Sequence, residues 1–385
     1  MLPAKNLVDN SGADVRTPLL RALPRVREDL TDRLSSPARL LEATIINPLV
    51  ESEWDKWIDC HQETTPFHSS AWARVLVETY GHLPCYLRIC AQGELVALVP
   101  VIEVQSLLTK CRGICLPFTD HCAPLLFDNF SGVSVMEKMR RVARERKWSY
   151  LEVRDDSIVS DEAPVSESFY GHHLDLRPGA KQLFATFESS VQRAIRKAER
   201  SQLTVAMDSV PEAMDSFYRL HARTRRRHGA PPQPRTFFTN IQRNIIEPGL
   251  GFIVRVSREG QTVAAAIFLK RKSKAIYKFG ASDERVQELR PNNLAIWKAI
   301  EFLAESGVET LDFGRTAKDN EGLRRFKRSW GATENPINYF KLDTATNTWV
   351  AAPSKRDLHF HKDLFRALPV TINRLAGAMI YPHLD

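Results

Sequence analysis

The chain has 385 residues, 43% of them hydrophobic and 26% charged. This is an ordinary globular balance with room for a sizeable core, and at about 100–200 residues per domain it allows two or three domains. The formal net charge of +8 favours an anionic partner: a phosphorylated metabolite, a nucleic acid or a membrane surface. No window approaches the roughly 18 uninterrupted apolar residues of a membrane span. The first residues lack the basic-then-apolar layout of an export signal, so the cytosol is the expected compartment.

Residues 1–42 mix Arg, Asp, Pro and Ser without periodicity and read as a disordered tail, with order beginning near Thr44. A helix is predicted from Ser69 to Tyr80, capped by serine and stopped at Gly81. Cys85 to Cys90 reads as a strand, Gln92-Gly93 as a turn and Leu95 to Val104 as the return strand. A short third strand precedes Leu116-Pro117. Val133 to Lys147 is an amphipathic helix and Trp148 to Arg154 a strand. The six cysteines, Cys60 to Cys122, cluster in one third of a long chain and read as reduced thiols. Cys111, Cys115, His121 and Cys122 match no common zinc spacing, so no metal is expected.

Two helices follow. One runs over Lys181 to Ser201; the other opens at Ser209, with Glu212 completing a capping box, and ends at Arg227. The earlier order then returns. Phe237 to Ile246 is a helix, and Phe252 to Val256, Val263 to Leu269 and Ala275 to Ser282 form a three-strand meander. Leu294 to Leu303 is a helix and Thr310 to Phe313 a strand. The repeat predicts two copies of a helix–meander–helix–strand unit, over residues 43–175 and 176–345. Residues 346–385 form a helical tail in which Phe360, Leu364, Leu368, Ile372 and Leu375 recur at helical spacing. That face packs on the second domain or touches a membrane peripherally.

The richest segment is Leu311-Asp312-Phe313-Gly314-Arg315, followed by Gly322-Leu323-Arg324-Arg325-Phe326-Lys327. Open α/β sheets bind ligands where strands end. Lys327 suits the oxyanion of an acyl transfer, because a positioned cation in a dry site favours the transition state over the ground state. By spacing alone, Lys327 fits equally well on a solvated basic helix face with Arg324, Arg325 and Arg328.

In order along the chain stand Leu116-Pro117-Phe118-Thr119-Asp120, Phe217-Tyr218, Arg225-Arg226-Arg227-His228-Gly229, Pro291-Asn292-Asn293-Leu294, Asp312-Phe313-Gly314-Arg315 and Arg325-Phe326-Lys327. In that joint order the sequence resembles the FemAB family, peptidyltransferase-like enzymes of cell-wall interpeptide bridges. It looks most like the BioF2-like, FemAB-related acetyltransferase branch associated with exosortase systems and exopolysaccharide biosynthesis. The resemblance spans about residues 44–345. It implies an α/β (α+β) fold of two tandem GNAT-like domains, each with a mixed sheet.

It also implies that Phe326 and Lys327 lie at the transfer centre, with Lys327 on the oxyanion. Arg226 and Arg227, at the end of the helix that carries Tyr218, are implied to hold an acceptor diphosphate, as guanidinium forks suit phosphate. Asp120 and Asp312 are the competing bases; Arg315 is either an anion ligand or an ion-pair partner of Asp312. Asn292 and Asn293 are expected to cap the following helix or present its N–H groups to an anion.

The expected reaction is N-acyl or aminoacyl transfer to an amine of a phosphorylated sugar, peptide or polysaccharide precursor. No cofactor is certain: the donor is acyl-CoA or aminoacyl-tRNA. Against acyl-CoA stands the Ser282 to Arg290 connection, which has no glycine for close approach to a pyrophosphate. The alternatives are an acyl-CoA-dependent N-acetyltransferase and a non-catalytic module that binds polysaccharide or RNA.

Overall fold

The computed structural model describes residues 41–106, 109–128, 130–352 and 359–384. The expected tail over residues 1–40 lies outside them, and Leu41 and Glu42 already belong to a strand, Leu41–Ile46. Four strands form one small sheet in the order Leu41–Ile46, Tyr86–Ala91, Glu94–Val99, Leu125–Leu126.

A long sheet carries the rest. It runs from Thr204–Asp208 through Gly251–Arg258, Gln261–Arg271 and Lys274–Ser282 to Thr310–Asp312. It continues through Glu167–Asp175, Thr333–Asp343 and Tyr150–Val153 to the short strands Arg112–Ile114, Ile102–Val104 and Leu83–Pro84.

The same local rule appears in both halves. An antiparallel meander ends in a strand that pairs in parallel with the next one, reached through a helical crossover. Gly132–Glu145 makes the crossover between Arg112–Ile114 and Tyr150–Val153. Pro291–Glu305 makes it between Lys274–Ser282 and Thr310–Asp312. Parallel strands need such a connection because a hairpin cannot reverse direction twice.

The second parallel pair is brief, covering Lys274↔Thr310 to Ile276↔Asp312. Beyond Ile276 the two chains part. One continues as strand to Ser282, while Thr316 and Ala317 turn to pair with Tyr170 and Phe169. The resulting wedge opens at Lys278 and Gly314.

The halves also share a core. Trp54, Trp72, Leu98 and Ile114 belong to the same buried cluster as Phe217, Phe237, Ile267 and Ala281. The strand Thr333–Asp343 ties them further: Thr333 to Tyr339 pair with Glu167–Asp175, and Phe340 to Asp343 pair with Tyr150–Val153.

Several local expectations needed correction. The return strand Leu95 to Val104 breaks at Pro100, which has no N–H to give a ladder. Glu94–Val99 therefore stays in the small sheet and Ile102–Val104 joins the long one. The single helix over Lys181 to Ser201 is two, Ala180–Thr186 and Ser189–Glu199. The extended residue between them, Phe187, inserts against Trp297 and Trp330. Ser209 does not cap the next helix. Its carbonyl accepts from Gln242 Nε2 at 2.5 Å, and Pro211 opens the helix Pro211–Arg227 instead. The 69–81 reading holds: Ser69 accepts from the Trp72 N–H and Gly81 closes Ser70–Tyr80 at φ 69°.

The C-terminal stretch forms the helices His359–Ala367 and Val370–Ile380, the latter packed on Pro211–Arg227.

Candidate functional site

The turn Leu116-Pro117-Phe118-Thr119-Asp120 delivers the first site residue. Leu116 and Phe118 both adopt left-handed backbone, at φ 60° and 59°, a conformation that costs about 1 kcal/mol or more for such side chains. Arg154, fully within the fold, holds the turn by donating to the carbonyls of Leu116 (3.0 Å) and Thr119 (2.8 Å). Strain held by a buried guanidinium fixes where Asp120 points.

Asp120 meets three cations in the wedge. Lys278 Nζ lies 3.5 Å from one carboxylate oxygen and Arg315 Nε 3.8 Å from the other. Lys327 adds its charge from the adjacent helix Glu321–Arg328. Burial would raise the Asp120 carboxyl, but Lys278, Arg315 and Lys327 together outweigh it and hold the group below its usual range. Gly314 sits against it: a Cβ there would lie 2.9 Å from Asp120 Oδ2, and its φ is +74°.

Lys327 is 4% exposed, while Arg325 and Arg328 on the same helix are exposed. The solvated-face reading therefore does not apply to it. Its ammonium donates to the carbonyls of Gly314 (2.7 Å) and Arg315 (3.2 Å). An ammonium has three donors, so one remains for another acceptor. Burial lowers the Lys327 pKa to about 8, against the opposing pull of Asp120 and Asp312.

Arg315 does not pair with Asp312. It donates to Tyr339 Oη at 2.6 Å, lies 4.2 Å over the Phe169 ring and faces Asp120. Tyr339 in turn donates to the Asp120 carbonyl at 2.5 Å. Asp312 instead accepts the Gly314 N–H at 2.7 Å. It also lines a cavity of about 650 Å³ with His61, His121, His173 and Asp155. There His121 Nε2 lies 2.8 Å from Asp155. Burial works against the charged imidazole, but the Asp155 hydrogen bond and charge prevail and raise it.

The remaining expected residues sit elsewhere. Arg226 and Arg227 line a second cavity of about 450 Å³ with Arg223, Arg285 and Arg366. Tyr218 is buried, with the Arg374 guanidinium 4.6 Å over its ring. Phe326 turns away from Lys327. It packs on Trp330 and lines a third cavity with Arg193, Lys197, Arg290 and Asn293. Neither asparagine caps the helix: Pro291 occupies its first turn, Arg290 precedes it, and Asn292 Nδ2 donates to Ser282 Oγ at 2.9 Å.

Sequence reasoning missed Lys278. Its Nζ donates to the Phe118 carbonyl at 2.8 Å and lies 4.9 Å over the Phe67 ring. The available signal was a lone lysine inside the apolar run Ala275 to Phe279, where an unpaired charge is costly.

A protein-family model described as an acetyltransferase (GNAT) domain matches residues 185–328. Among solved structures, FemX superposes with a TM-score of 0.61 at 15% identity, covering 77% of this chain and 96% of that one. A tandem GNAT protein from the clavulanic acid biosynthesis pathway gives 0.52 at 11% identity, covering 82% and 100%. Lipid II:glycine glycyltransferase of Staphylococcus haemolyticus (strain JCSC1435) is 36% identical over 78 residues, 19% of each chain. The chain thus resembles these glycyltransferases over a short stretch of sequence, and FemX and the tandem GNAT protein in fold. The same-named protein of Staphylococcus epidermidis (strain ATCC 12228 / FDA PCI 1200) is 31% identical over 94 residues, 23% of each chain. The aligned stretch thus spans under a quarter of these curated relatives. The wedge at Gly314 lies within the stretch that the GNAT domain model matches.

Proposed function

We propose that this chain transfers an aminoacyl or acyl group to an amine of a phosphorylated cell-envelope precursor. The observation that carries this reading is Lys327: a buried ammonium with two donors fixed on backbone carbonyls and one left over, at the wedge of a GNAT-type sheet. In the reaction the acceptor amine attacks the donor's ester or thioester carbonyl. A C–N bond forms, the carbonyl oxygen gains charge, and collapse expels the alkoxide or thiolate while the amine loses a proton. Lys327 stabilises the charged oxygen without reorganising, since its position is set before the substrate arrives.

The two carboxylates divide the remaining work. Asp120 is held ionised by three cations, which makes it a weak base and a good anchor for Lys278, Arg315 and Lys327. Asp312 faces the 650 Å³ cavity beside His121 and His173, and takes the proton. Arg226 and Arg227 hold the acceptor's phosphate groups in their own cavity. Phe326 and Asn293, with Arg193 and Lys197, border the donor's polyanionic part.

Aminoacyl-tRNA fits as donor better than acyl-CoA. The Ser282 to Arg290 connection folds as the tight turn Glu284–Leu289, closed by Arg290 at φ +60°. It offers no glycine for close phosphate approach. The curated relatives, Lipid II:glycine glycyltransferases, support an aminoacyl group as the one transferred. The test is intact-mass spectrometry of amine-bearing precursors incubated with the protein and either charged tRNA or acyl-CoA. A mass increment of one aminoacyl residue with tRNA supports the reading. Increments only with acyl-CoA move the donor to the second class, and none with either removes transfer.

A further inference from the structure

The helix Val370–Ile380 is amphipathic in the reverse sense. It docks on the body through Asn373, fully buried, and Gly377, where a Cβ would lie 1.9 Å from the Pro232 carbonyl. Its large apolar residues face outward: Ile372 is 47% exposed, Leu375 63% and Met379 74%. The spacing i, i+3, i+7 places these three on one face. The helix has a single charge, Arg374, and that is engaged over the Tyr218 ring. A helix normally buries its apolar stripe and exposes charge. A water-facing stripe without charge marks a surface that something else covers.

The occupant is indicated by what adjoins the stripe. Val370, the first residue of the helix, lines the cavity of Arg223, Arg226, Arg227, Arg285 and Arg366. Arg227 and Arg285 are matched by Glu284 and Asp283, and Arg366 by Asp363. Among the described residues Arg223 and Arg226 form no ion pair with a carboxylate, although Arg223 lies near enough to Asp283 to help lower its pKa. Five arginines against the two carboxylates of Asp283 and Glu284 leave this cavity net positive, and apolar residues beside such a site suit an interfacial position, with side chains in the acyl boundary and guanidiniums among phosphates. The helix has 11 residues, which at about 1.5 Å each cannot span a bilayer. A second copy fits less well, since two-fold pairing through this face would bring two copies of the same arginine set together.

We propose that the outward face of Val370–Ile380, with the exposed Arg223 beside its first residue, docks the chain on an anionic phospholipid bilayer. Docking is read without turnover, so its failure is separate from failure of the transfer reading. The test is co-sedimentation of the full chain with phosphatidylcholine vesicles, with and without phosphatidylglycerol. The wild type is expected to bind the phosphatidylglycerol vesicles and to be weakened by salt. Leu375→Asp combined with Met379→Asp should lower partitioning about tenfold or more with an unchanged melting temperature. Arg223→Glu should remove the preference for the anionic lipid. Absence of binding, or equal binding by the double variant, would overturn the proposal. So would a dimer in light scattering that the double variant dissociates, because a second copy would then cover the face.

Discussion

Replacing Lys327 with methionine tests the electrostatics of the wedge directly. The side chain is 4% exposed, and its pKa falls from an ordinary 10.5 to about 8. Between those pH values the unfolded chain binds a proton at this position and the folded chain does not. Stability therefore rises with pH across the window, by about 1.4 kcal/mol per pH unit and roughly 3 kcal/mol in all. Lys327→Met removes this titration; the loss of its charge also reaches Asp120 and His172, whose ordinary values of 3.8 and 6.5 lie below the window. Urea unfolding of both proteins at about pH 7 and about pH 10.5 gives the comparison. At the lower pH the variant should match or exceed the wild type, because it no longer buries a cation. At the higher pH the wild type should have gained roughly 3 kcal/mol on it. A difference that does not change with pH would refute the burial argument, and with it the dry oxyanion site.

Three other perturbations have defined outcomes. Gly314→Ala combines a positive φ with a Cβ 2.9 Å from Asp120 Oδ2. It should cost about 1–3 kcal/mol in chemical unfolding and depress transfer by displacing the carboxylate. Lys278→Met leaves the Asp120 carboxylate with one cation fewer and raises the Asp120 pKa, as read by carboxyl NMR titration. Asp155→Asn removes the group that raises His121. Because a raised histidine contributes stability below its unfolded pKa of 6.5, the loss should be largest in mildly acidic solution and fade as pH rises through the folded value. Melting curves across that range check it.

The tandem repeat was legible because both units carry periodic helices and turn dipeptides such as Gln92-Gly93 and Glu259-Gly260, which close their hairpins at positive φ. The strands that join the units were not. Thr333–Asp343 contains Pro336, which reads as a breaker. Here it pairs with Tyr170 on one side only, because pairing with Tyr150–Val153 begins at Phe340, which is the edge-like setting a proline tolerates. Glu167–Asp175 hides its alternation behind two histidines: His172 is buried against Glu334, while His173 lies near Asp312.

At the site, Lys327 stood out by motif, but its contrast with exposed Arg325 and Arg328 comes from the helix phase. Asp120 and Lys278 meet across 158 residues of chain, and no local pattern encodes that meeting. The reverse amphipathicity of Val370–Ile380 was equally hidden, since periodicity gives a stripe but not the side on which the protein lies.

The oxyanion role of Lys327 is tested by single-turnover transfer from charged tRNA to an amine-bearing, phosphorylated precursor, with wild type and Lys327→Ala compared at equal folded concentration. The variant's rate should be about 10²-fold lower or more, with unfolding still cooperative. Equal rates in the two proteins would contradict it.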